Sequence, residues 1–266
     1  MNSMLLRMQE LWVQKQGNHP NEYEDAFHPD KLLRTENNCV ALAIADGATE
    51  GAFSKQWANI LCHCFVNNPD IPDEGEPVSW DAARSRYERF ISMYKEKRAA
   101  KGPPLKWYEI PSLSQGSYAA FLGITVRENE QGGYVVHSIA YGDTCLFHTR
   151  NGEMLASFPV EHASDFGFRP WLVSSRERTD EQHSGIPSVR RREFYVQPGE
   201  EIYLATDAAS QWFLSCYESD NDPTWHLAPF FAVKNRNTRF ANWVNELRRQ
   251  RTIRNDDTTF IKITFE

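Results

Sequence analysis

Residues 39–65 read CVALAIADGATEGAFSKQWANILCHCF, and this stretch decides how the rest of the chain is interpreted. Val40 to Ala45 is an uninterrupted apolar run of the kind that forms a fully buried strand, and it ends abruptly on Asp46-Gly47. Large apolar residues then recur at intervals of three and four, which is one face of a helix. They are Phe53, Trp57, Ile60, Leu61, Cys64 and Phe65. The stretch predicts a buried strand with a carboxylate at its tip, a short turn and an amphipathic helix. Taken alone, its acidic tip is better explained by an ordinary solvated Asp-Gly turn between two core elements than by a ligand site.

Composition limits the class of protein. The chain has 266 residues, of which 41% are hydrophobic and 13% aromatic, enough to form a large core. No linker rich in Pro, Gly or Ser divides it, so we expect one domain over residues 1–266. The formal charge of −7 disfavours a nucleic-acid-binding surface. No apolar run approaches the roughly 18 residues of a membrane span, and the N-terminal stretch MNSMLLRMQE lacks the long apolar segment of a secretory signal.

The cysteines favour a reducing compartment over a disulfide framework. There are five, an odd number, and several fall inside predicted core elements. They are Cys39, Cys62, Cys64, Cys145 and Cys216. The run Cys62-His63-Cys64 suggests a metal site, but the sequence has no second cluster of Cys or His to complete it, so core packing is the better interpretation. We therefore expect a cytoplasmic protein with buried thiols.

Periodicity predicts a strand, two helices and then a series of short strands. Residues 5–16 mix apolar and polar positions as a peripheral strand does. A second long helix is expected from Trp80 to Tyr94, ended by Gly102, and it would pair with the first helix over one side of a sheet. From Gly116 the period falls to about 2, and four strands are expected as an antiparallel meander. They are Tyr118–Val126, Tyr134–Tyr141, Cys145–Thr149 and Met154–Phe158, the last two joined by the hairpin signal Asn151-Gly152.

The last hundred or so residues first lose and then regain a regular pattern. Residues 159–192 have no clear period; this is typical of a functional flap, and a mobile loop explains it almost as well. A strand is then expected at Phe194–Val196, and another from Glu201 that again ends on an aspartate, Asp207. The final elements are a helix marked by Phe240, Trp243, Val244 and Leu247, and the strand Phe260–Phe265.

Acidic residues therefore recur at strand ends and strand starts. They are the pair Glu24/Asp25, Asp46, Asp207 and the pair Asp256/Asp257, with Asp143 at a strand-to-strand turn as a fifth. If antiparallel strands bring these ends to one edge of a sheet, the carboxylates repel and raise one another's pKa values unless cations neutralise them. An all-oxygen cluster selects hard divalent ions such as Mg²⁺ or Mn²⁺. Two such ions can activate a water and hold a phosphoryl group, so the pattern predicts metal-assisted phosphoester hydrolysis.

The order and spacing of six motifs resemble the PP2C-type metal-dependent protein phosphatases, in a divergent bacterial-type form, along essentially the whole chain. The motifs are Glu24-Asp25-Ala26, Ala45-Asp46-Gly47, Gly116-Ser117-Tyr118-Ala119-Ala120, Gly142-Asp143-Thr144, Leu204-Ala205-Thr206-Asp207 and Asn255-Asp256-Asp257-Thr258-Thr259. The resemblance implies an α+β fold, an αββα four-layer sandwich of two antiparallel sheets flanked by helix pairs. It also implies a binuclear metal site at one end of that sandwich.

The resemblance assigns a role to each acidic position. Asp46 is expected to bridge two Mn²⁺ or Mg²⁺ ions, with the carbonyl of Gly47 as a further ligand. Asp207 and Asp256 match the ligands of the first ion. The remaining assignments are Glu24 or Asp25 to the second ion and Asp143 to a weaker third.

The sequence also departs from the family pattern. Pro20 stands where animal-type enzymes carry a phosphate-binding arginine, and Ala48 replaces a histidine thought to protonate the leaving group. His19 or a water is the candidate proton donor. Candidates for the phosphate contact are Arg169, Arg176 and Arg190 to Arg192. Four further departures are Tyr118 in place of a threonine, Ala208 in place of a glycine, Gln211 in place of a metal-binding acid and Asp257 in place of an asparagine. Since the core ligands are kept, an active two-metal site is expected, with a third metal site weak or absent.

The leading hypothesis is a cytoplasmic, monomeric Ser/Thr protein phosphatase that uses a binuclear Mg²⁺ or Mn²⁺ site. Its expected partners are a phosphorylated protein and a cognate Ser/Thr kinase, with neither nucleic acid nor membrane involved. Two alternatives stay open. The missing arginine and Ala48 favour a catalytically weak regulatory or binding module, and a phosphatase for small phosphomonoesters fits the same ligands.

Overall fold

The computed structural model of the chain describes residues 6–29, 39–49, 51–74, 76, 78–103, 105–107, 109–167, 171–177, 189–233 and 236–266. Within these ranges, every paired strand is antiparallel and the strands form two sheets. No helix in the described ranges has both the length and the apolar composition needed to cross a membrane. All five cysteines are free thiols.

One sheet has five strands in the order β1-β11-β10-β6-β7. Their bounds are β1 Leu6–Val13, β6 Cys145–Arg150, β7 Glu153–Phe158, β10 Glu201–Ala205 and β11 Thr258–Phe265. The other sheet has six strands, of which five follow the order β2-β3-β4-β5-β9 and β8 pairs with β4. Their bounds are β2 Ala26–His28, β3 Cys39–Gly47, β4 Tyr118–Glu128, β5 Tyr134–Tyr141, β8 Val173–Ser174 and β9 Arg190–Val196.

Helices cover the outer face of each sheet. Three pack on the six-stranded sheet: α1 Ser54–Asn67, α2 Asp81–Lys101 and α3 Glu109–Gln115. Three pack on the five-stranded sheet: α4 Asp207–Glu218, α5 Pro223–Phe231 and α6 Arg236–Arg249. Two short 3₁₀ helices lie at Pro20–Glu22 and Ala163–Asp165.

Three apolar layers hold these elements together. The central layer lies between the sheets and includes Leu42 and Ile44 of β3, whereas the alternate residues Ala43 and Ala45 face α1. Because successive side chains of a strand point to opposite faces, a strand buried on both faces reads as one continuous apolar run. This explains why residues 40–45 carry no polar position.

The predicted α+β sandwich of two antiparallel sheets flanked by helices is confirmed, with a third, shorter helix beside each predicted pair. The prediction that these four strands form a single antiparallel meander is wrong. β4 and β5 belong to the six-stranded sheet and β6 and β7 to the other, so the chain crosses between sheets at Gly142-Asp143-Thr144. Gly142 has a φ of +88° and lies against Ala120, so a Cβ at this position would be 2.8 Å from that of Ala120.

Two further predictions need correction. Asp207 does not end a strand: β10 ends at Ala205, and Asp207 is the first residue of α4. Much of residues 159–192 lies outside the described ranges, but Val173–Ser174 pairs with Tyr118 and Ala119 of β4, and β9 already begins at Arg190.

The packing of α1 on the six-stranded sheet can be tested at the contact between Gly123 of β4 and Phe65 of α1. A Cβ at Gly123 would lie 2.7 Å from Cζ of Phe65. We expect Gly123→Ala to lower the free energy of unfolding by about 1–3 kcal/mol, measured by urea denaturation, because the added methyl group overpacks this layer. The double variant Gly123→Ala/Phe65→Leu should lose less than the sum of the two single losses. Strict additivity would contradict the proposed contact.

Candidate active site

Carboxylates from distant parts of the sequence meet in one cavity of about 340 Å³. Six acidic side chains line it: Glu24, Asp46, Asp143, Asp207, Asp256 and Asp257. They lie before β2, near the end of β3, in the β5–β6 crossing, at the start of α4 and before β11. Antiparallel pairing brings these strand ends and strand starts to one edge of the sandwich.

The tip of β3 is held by close backbone contacts. Asp46 is opposite Ala120 of β4 in the sheet register, and the amide of Ala48 donates a hydrogen bond to the carbonyl of Tyr118 at 2.9 Å. A Cβ at Gly47 would lie 2.9 Å from the carbonyl oxygen of Glu24. The glycine therefore allows the chain before β2 to approach the β3 tip, which places Glu24 and Asp46 in the same cavity.

Asp25 lies behind this cavity, with a side chain that is 2% exposed. Its Oδ2 accepts hydrogen bonds from the hydroxyls of Thr206, at 3.0 Å, and Thr259, at 2.5 Å. The Thr259 hydroxyl lies 2.5 Å from the Tyr23 hydroxyl, which is therefore its donor. Asp25 Oδ1 is buried and has no hydrogen-bond partner among the described residues. One oxygen is thus fully satisfied and the other is left for a cation or a proton.

Asp257 has a different environment from the other acids. Its Oδ1 accepts from the amide of Lys15 at 2.7 Å and its Oδ2 from the amide of Glu24 at 2.5 Å. Both oxygens are used to tie the segments after β1 and before β2 to the start of β11. An aspartate serves here as a backbone clamp because it offers two acceptor oxygens, whereas an asparagine offers one.

Burial and mutual repulsion perturb the central carboxylates. Burial raises the pKa of Asp46 well above its usual value, and the neighbouring carboxylates of Asp25 and Asp207 raise it further. The pKa of Asp25 is raised by burial and then by Asp257, against the opposing effect of the Thr259 hydroxyl. Burial likewise raises the pKa of Glu24. Like charges that raise one another's pKa values lie within short electrostatic range.

Among the described residues, two side-chain cations form ion pairs with these acids. Arg254 lines the cavity, and its Nη2 forms an ion pair with Asp207 Oδ2. Burial raises the pKa of Asp207, and the Arg254 guanidinium opposes this shift. Lys15 Nζ lies 3.7 Å from Asp256 Oδ1.

The donor set fits hard divalent cations. It consists of carboxylate oxygens, and it includes the orphaned buried Oδ1 of Asp25. As the side chains stand, no group of three or more His, Cys, Asp or Glu in the described part of the chain is arranged to hold an ion. Arg254 and Lys15 instead neutralise part of the acidic charge.

The described residues that the sequence predicts to bind phosphate or donate a proton do not line the cavity. Arg169 lies outside the described residues. The other four arginines do not line the cavity and donate hydrogen bonds to carbonyl oxygens: Arg176 to Leu113 at 3.0 Å, Arg190 to Pro159 at 2.6 Å, Arg191 to Glu76 at 2.6 Å and Arg192 to Ser157 at 3.0 Å. His19 is exposed, pairs with Asn21 at 2.8 Å and is also absent from the cavity lining.

Sequence reasoning missed three residues that shape this site. Thr206 and Thr259 fix Asp25, and Arg254 pairs with Asp207. Both threonines stand within motifs that carry a site acid, so a search for hydroxyls next to these acids could have found them. Arg254 immediately precedes the Asn255-Asp256-Asp257 run, but a single charged residue in a loop gives no local signal.

Comparison with solved structures identifies the fold. The Mycobacterium tuberculosis serine/threonine phosphatase PstP/Ppp matches with a TM-score of 0.53 and 14% identity, covering 98% of this chain and 99% of that chain. The PstP catalytic domain in complex with 2 manganese ions matches with a TM-score of 0.55 and 14% identity, with the same coverage of 98% and 99%. The S. agalactiae serine/threonine phosphatase gives 0.54 and 11%, covering 98% and 100%.

These likenesses show that the chain has the fold of the PP2C-type phosphatases. No protein-family model matches the sequence, and no curated protein matches it significantly.

The Asp143 carboxyl gives the metal-free protein a testable pH dependence. Burial raises the pKa of Asp143 to about 7, and the charge of Asp207 adds to the effect. The folded state therefore retains a proton that the unfolded chain loses above about pH 4, so stability falls as pH rises from about 4 to 7. In EDTA-treated protein, Asp143→Asn should stabilise the fold more at pH 8 than at pH 5, by about 1–2 kcal/mol after allowance for partial solvation.

Thermal or urea unfolding at the two pH values measures this difference. The control is Asp165→Asn, which changes an exposed carboxylate and should have the same small effect at both pH values. An equal effect of Asp143→Asn at pH 5 and pH 8 would show that this carboxyl titrates normally in the folded state.

Proposed function

We propose that this chain, with its PP2C-type fold, is a metal-dependent phosphatase that hydrolyses phosphoserine and phosphothreonine in proteins. The observation that carries the proposal is the convergence of six acidic side chains from both sheets in one cavity. The solved structures of the same fold support it, since the proteins named above are serine/threonine phosphatases and one is complexed with 2 manganese ions.

Two Mn²⁺ or Mg²⁺ ions would supply the electrophilic chemistry: they lower the pKa of a water and neutralise charge on the phosphoryl oxygens. The residues proposed to hold them are Asp46 with the Gly47 carbonyl, Asp207, Asp256, and Glu24 or Asp25, with Asp143 toward a weaker third ion. The other acid, Asp257, uses both oxygens as a backbone clamp.

The chain's own contribution is rigid placement of these oxygens. Asp46 is fixed because β3 is paired along its length with β4 and packed on both faces. The hydroxyls of Thr206 and Thr259 hold one oxygen of Asp25 and leave the other open. Residues held by packing and by hydrogen bonds keep a site within the narrow geometry that catalysis needs.

In the proposed reaction, the oxygen of a water forms a bond to phosphorus while the phosphorus–oxygen ester bond breaks. The products are inorganic phosphate and the free alcohol of Ser or Thr. The leaving oxygen must gain a proton, and Ala48, which lines the cavity, has none to give. Solvent is the proposed donor, because it reaches the cavity: the side chain of Asp256, which lines the cavity, is 43% exposed.

The proposed setting follows from the same features. A phosphorylated protein and its cognate Ser/Thr kinase are the proposed partners, and a monomer in the cytoplasm is the proposed state. The five free thiols support a reducing compartment.

A second candidate, a non-catalytic binding module, is favoured by two features of the cavity. Arg254 already neutralises Asp207, and no described group of three ligands is arranged for an ion. Calorimetric titration of the chelator-treated protein with Mn²⁺ separates the two candidates. A phosphatase should bind two ions with affinities that change with the Asp46 side chain, whereas a binding module need not bind any.

Asp46→Asn and Asp207→Asn test the catalytic proposal directly. Each removes a charged ligand proposed for the ions, so we expect Mn²⁺-dependent hydrolysis of a phosphothreonine peptide to fall by at least about a hundredfold, in line with the loss of several kcal/mol of charge stabilisation. Released phosphate measures the rate, and circular dichroism checks that the fold is retained.

Asp165→Asn, at an exposed carboxylate that does not line the cavity, should retain wild-type activity and serves as the matched control. Unchanged hydrolysis in the two site variants would refute the assignment. A wild-type preference for a free phosphorylated metabolite over the peptide would instead indicate a small-molecule phosphatase.

A further inference from the structure

The acidic cavity has one basic side chain among its described lining residues, and this side chain is Arg254. Arg254 lies in the segment between α6 and β11, and its side chain is 41% exposed. Its Nη2 contacts Asp207, whose own side chain is 18% exposed. The guanidinium therefore bridges the solvent-facing mouth of the cavity and one of its central acids.

A phosphate ester brings about two negative charges into a space lined by six acids. Divalent ions offset part of this repulsion, but a phosphate also needs donors that fix its orientation, and a guanidinium offers five in a planar fork. The four described arginines considered from the sequence are bound to carbonyls outside the cavity. Lys15 does not line the cavity and lies against Asp256. Arg254 is therefore the best-placed donor.

The ion pair with Asp207 suggests how Arg254 would act. A divalent ion at Asp207 and the Arg254 guanidinium are both cations, so they compete for the same carboxylate. Arg keeps its charge at every physiological pH and has a flexible stem, so a guanidinium displaced from Asp207 stays at the cavity as an unpaired donor. An ion bound at Asp207 would thus free the guanidinium to contact the substrate phosphate.

We propose that Arg254 is the phosphate-binding arginine of this site and that it exchanges Asp207 for the substrate phosphate when a divalent ion binds. The proposal rests on the phosphatase function argued above. It makes two predictions of opposite sign for Arg254→Ala, since the arginine opposes the ion and assists the phosphate.

Arg254→Ala should bind Mn²⁺ about two- to fivefold more tightly than the wild type in calorimetry without phosphate, because a competing exposed ion pair is removed. In the presence of saturating Mn²⁺, its dissociation constant for inorganic phosphate should rise about ten- to hundredfold, the value of a lost charge-assisted contact. Kinetics on the phosphothreonine peptide should show the loss mainly in KM. Arg254→Lys keeps the charge but lacks the planar guanidinium. Its dissociation constants for Mn²⁺ and for phosphate should lie between those of the wild type and Arg254→Ala.

Arg249→Ala is the matched control, because Arg249 forms a surface ion pair with Glu246 and does not line the cavity. It should leave both dissociation constants unchanged. The proposal is overturned if Arg254→Ala, shown to be folded by circular dichroism, matches the wild type in phosphate binding, or if it binds Mn²⁺ more weakly. Should Arg254→Ala not fold, Arg254→Lys decides. An unchanged dissociation constant for phosphate and an unchanged KM would overturn the proposal, whereas a rise in both constants would support it.

Failure of the phosphatase proposal gives a different result. If the wild type binds Mn²⁺ and phosphate but hydrolyses no phosphoester, the catalytic assignment fails, and the binding measurements still decide the role of Arg254. If the wild type hydrolyses the peptide and Arg254→Ala has wild-type constants, only the role of Arg254 is wrong.

Discussion

Repulsion between buried carboxylates is the constraint on which the rest of this site depends. Burial raises the pKa values of Asp25, Asp46 and Asp207, and neighbouring carboxylates raise them further. These neighbours are Asp257 and Asp207 for Asp25, Asp25 and Asp207 for Asp46, and Asp256 for Asp207. Such an arrangement opposes folding, so it persists only where the surrounding structure determines it. Here the surrounding structure is a sandwich in which each sheet is packed on both faces. This packing prevents the strands from sliding or separating, so the acidic residues at their ends stay close together.

At the start of α4, a hydrogen bond that would stabilise the helix is replaced by one that holds a site acid. Thr206 occupies the N-cap position of α4, where a threonine hydroxyl usually accepts a hydrogen bond from the helix, a contact worth about 1 kcal/mol. Its hydroxyl instead donates to Asp25, and the cap bond is not made. Asp207 partly compensates, because a negative charge in the first turn of a helix interacts favourably with the helix dipole. The same two residues thus begin helix α4 directly after β10 and orient the site.

Sequence alone predicted the parts of this structure that depend on local pattern. The apolar run at residues 40–45 identified a strand buried on both faces, and each of the five acidic positions contributes at least one side chain to one cavity. The crossing at Gly142-Asp143-Thr144 was interpreted as a turn within a meander, because a turn signal does not say which sheet the next strand joins. Helix α5 was missed because Pro223 and Pro229 resemble loop residues. Arg254 was missed because its importance comes from a carboxylate 47 positions away.

The pairing of Arg254 with Asp207 also answers a problem of folding order. A metal site made of carboxylates must assemble before its ions bind tightly, since the unfolded chain does not hold the ligands together. During that interval the acids are uncompensated unless the chain provides its own cations. Arg254 and Lys15 supply them at Asp207 and Asp256, while the Thr206 and Thr259 hydroxyls stabilise Asp25. Because both cations are partly exposed, each pair is weak enough for a divalent ion to replace it. The fold therefore tolerates its acidic cavity without closing it to the divalent ions of the proposed function.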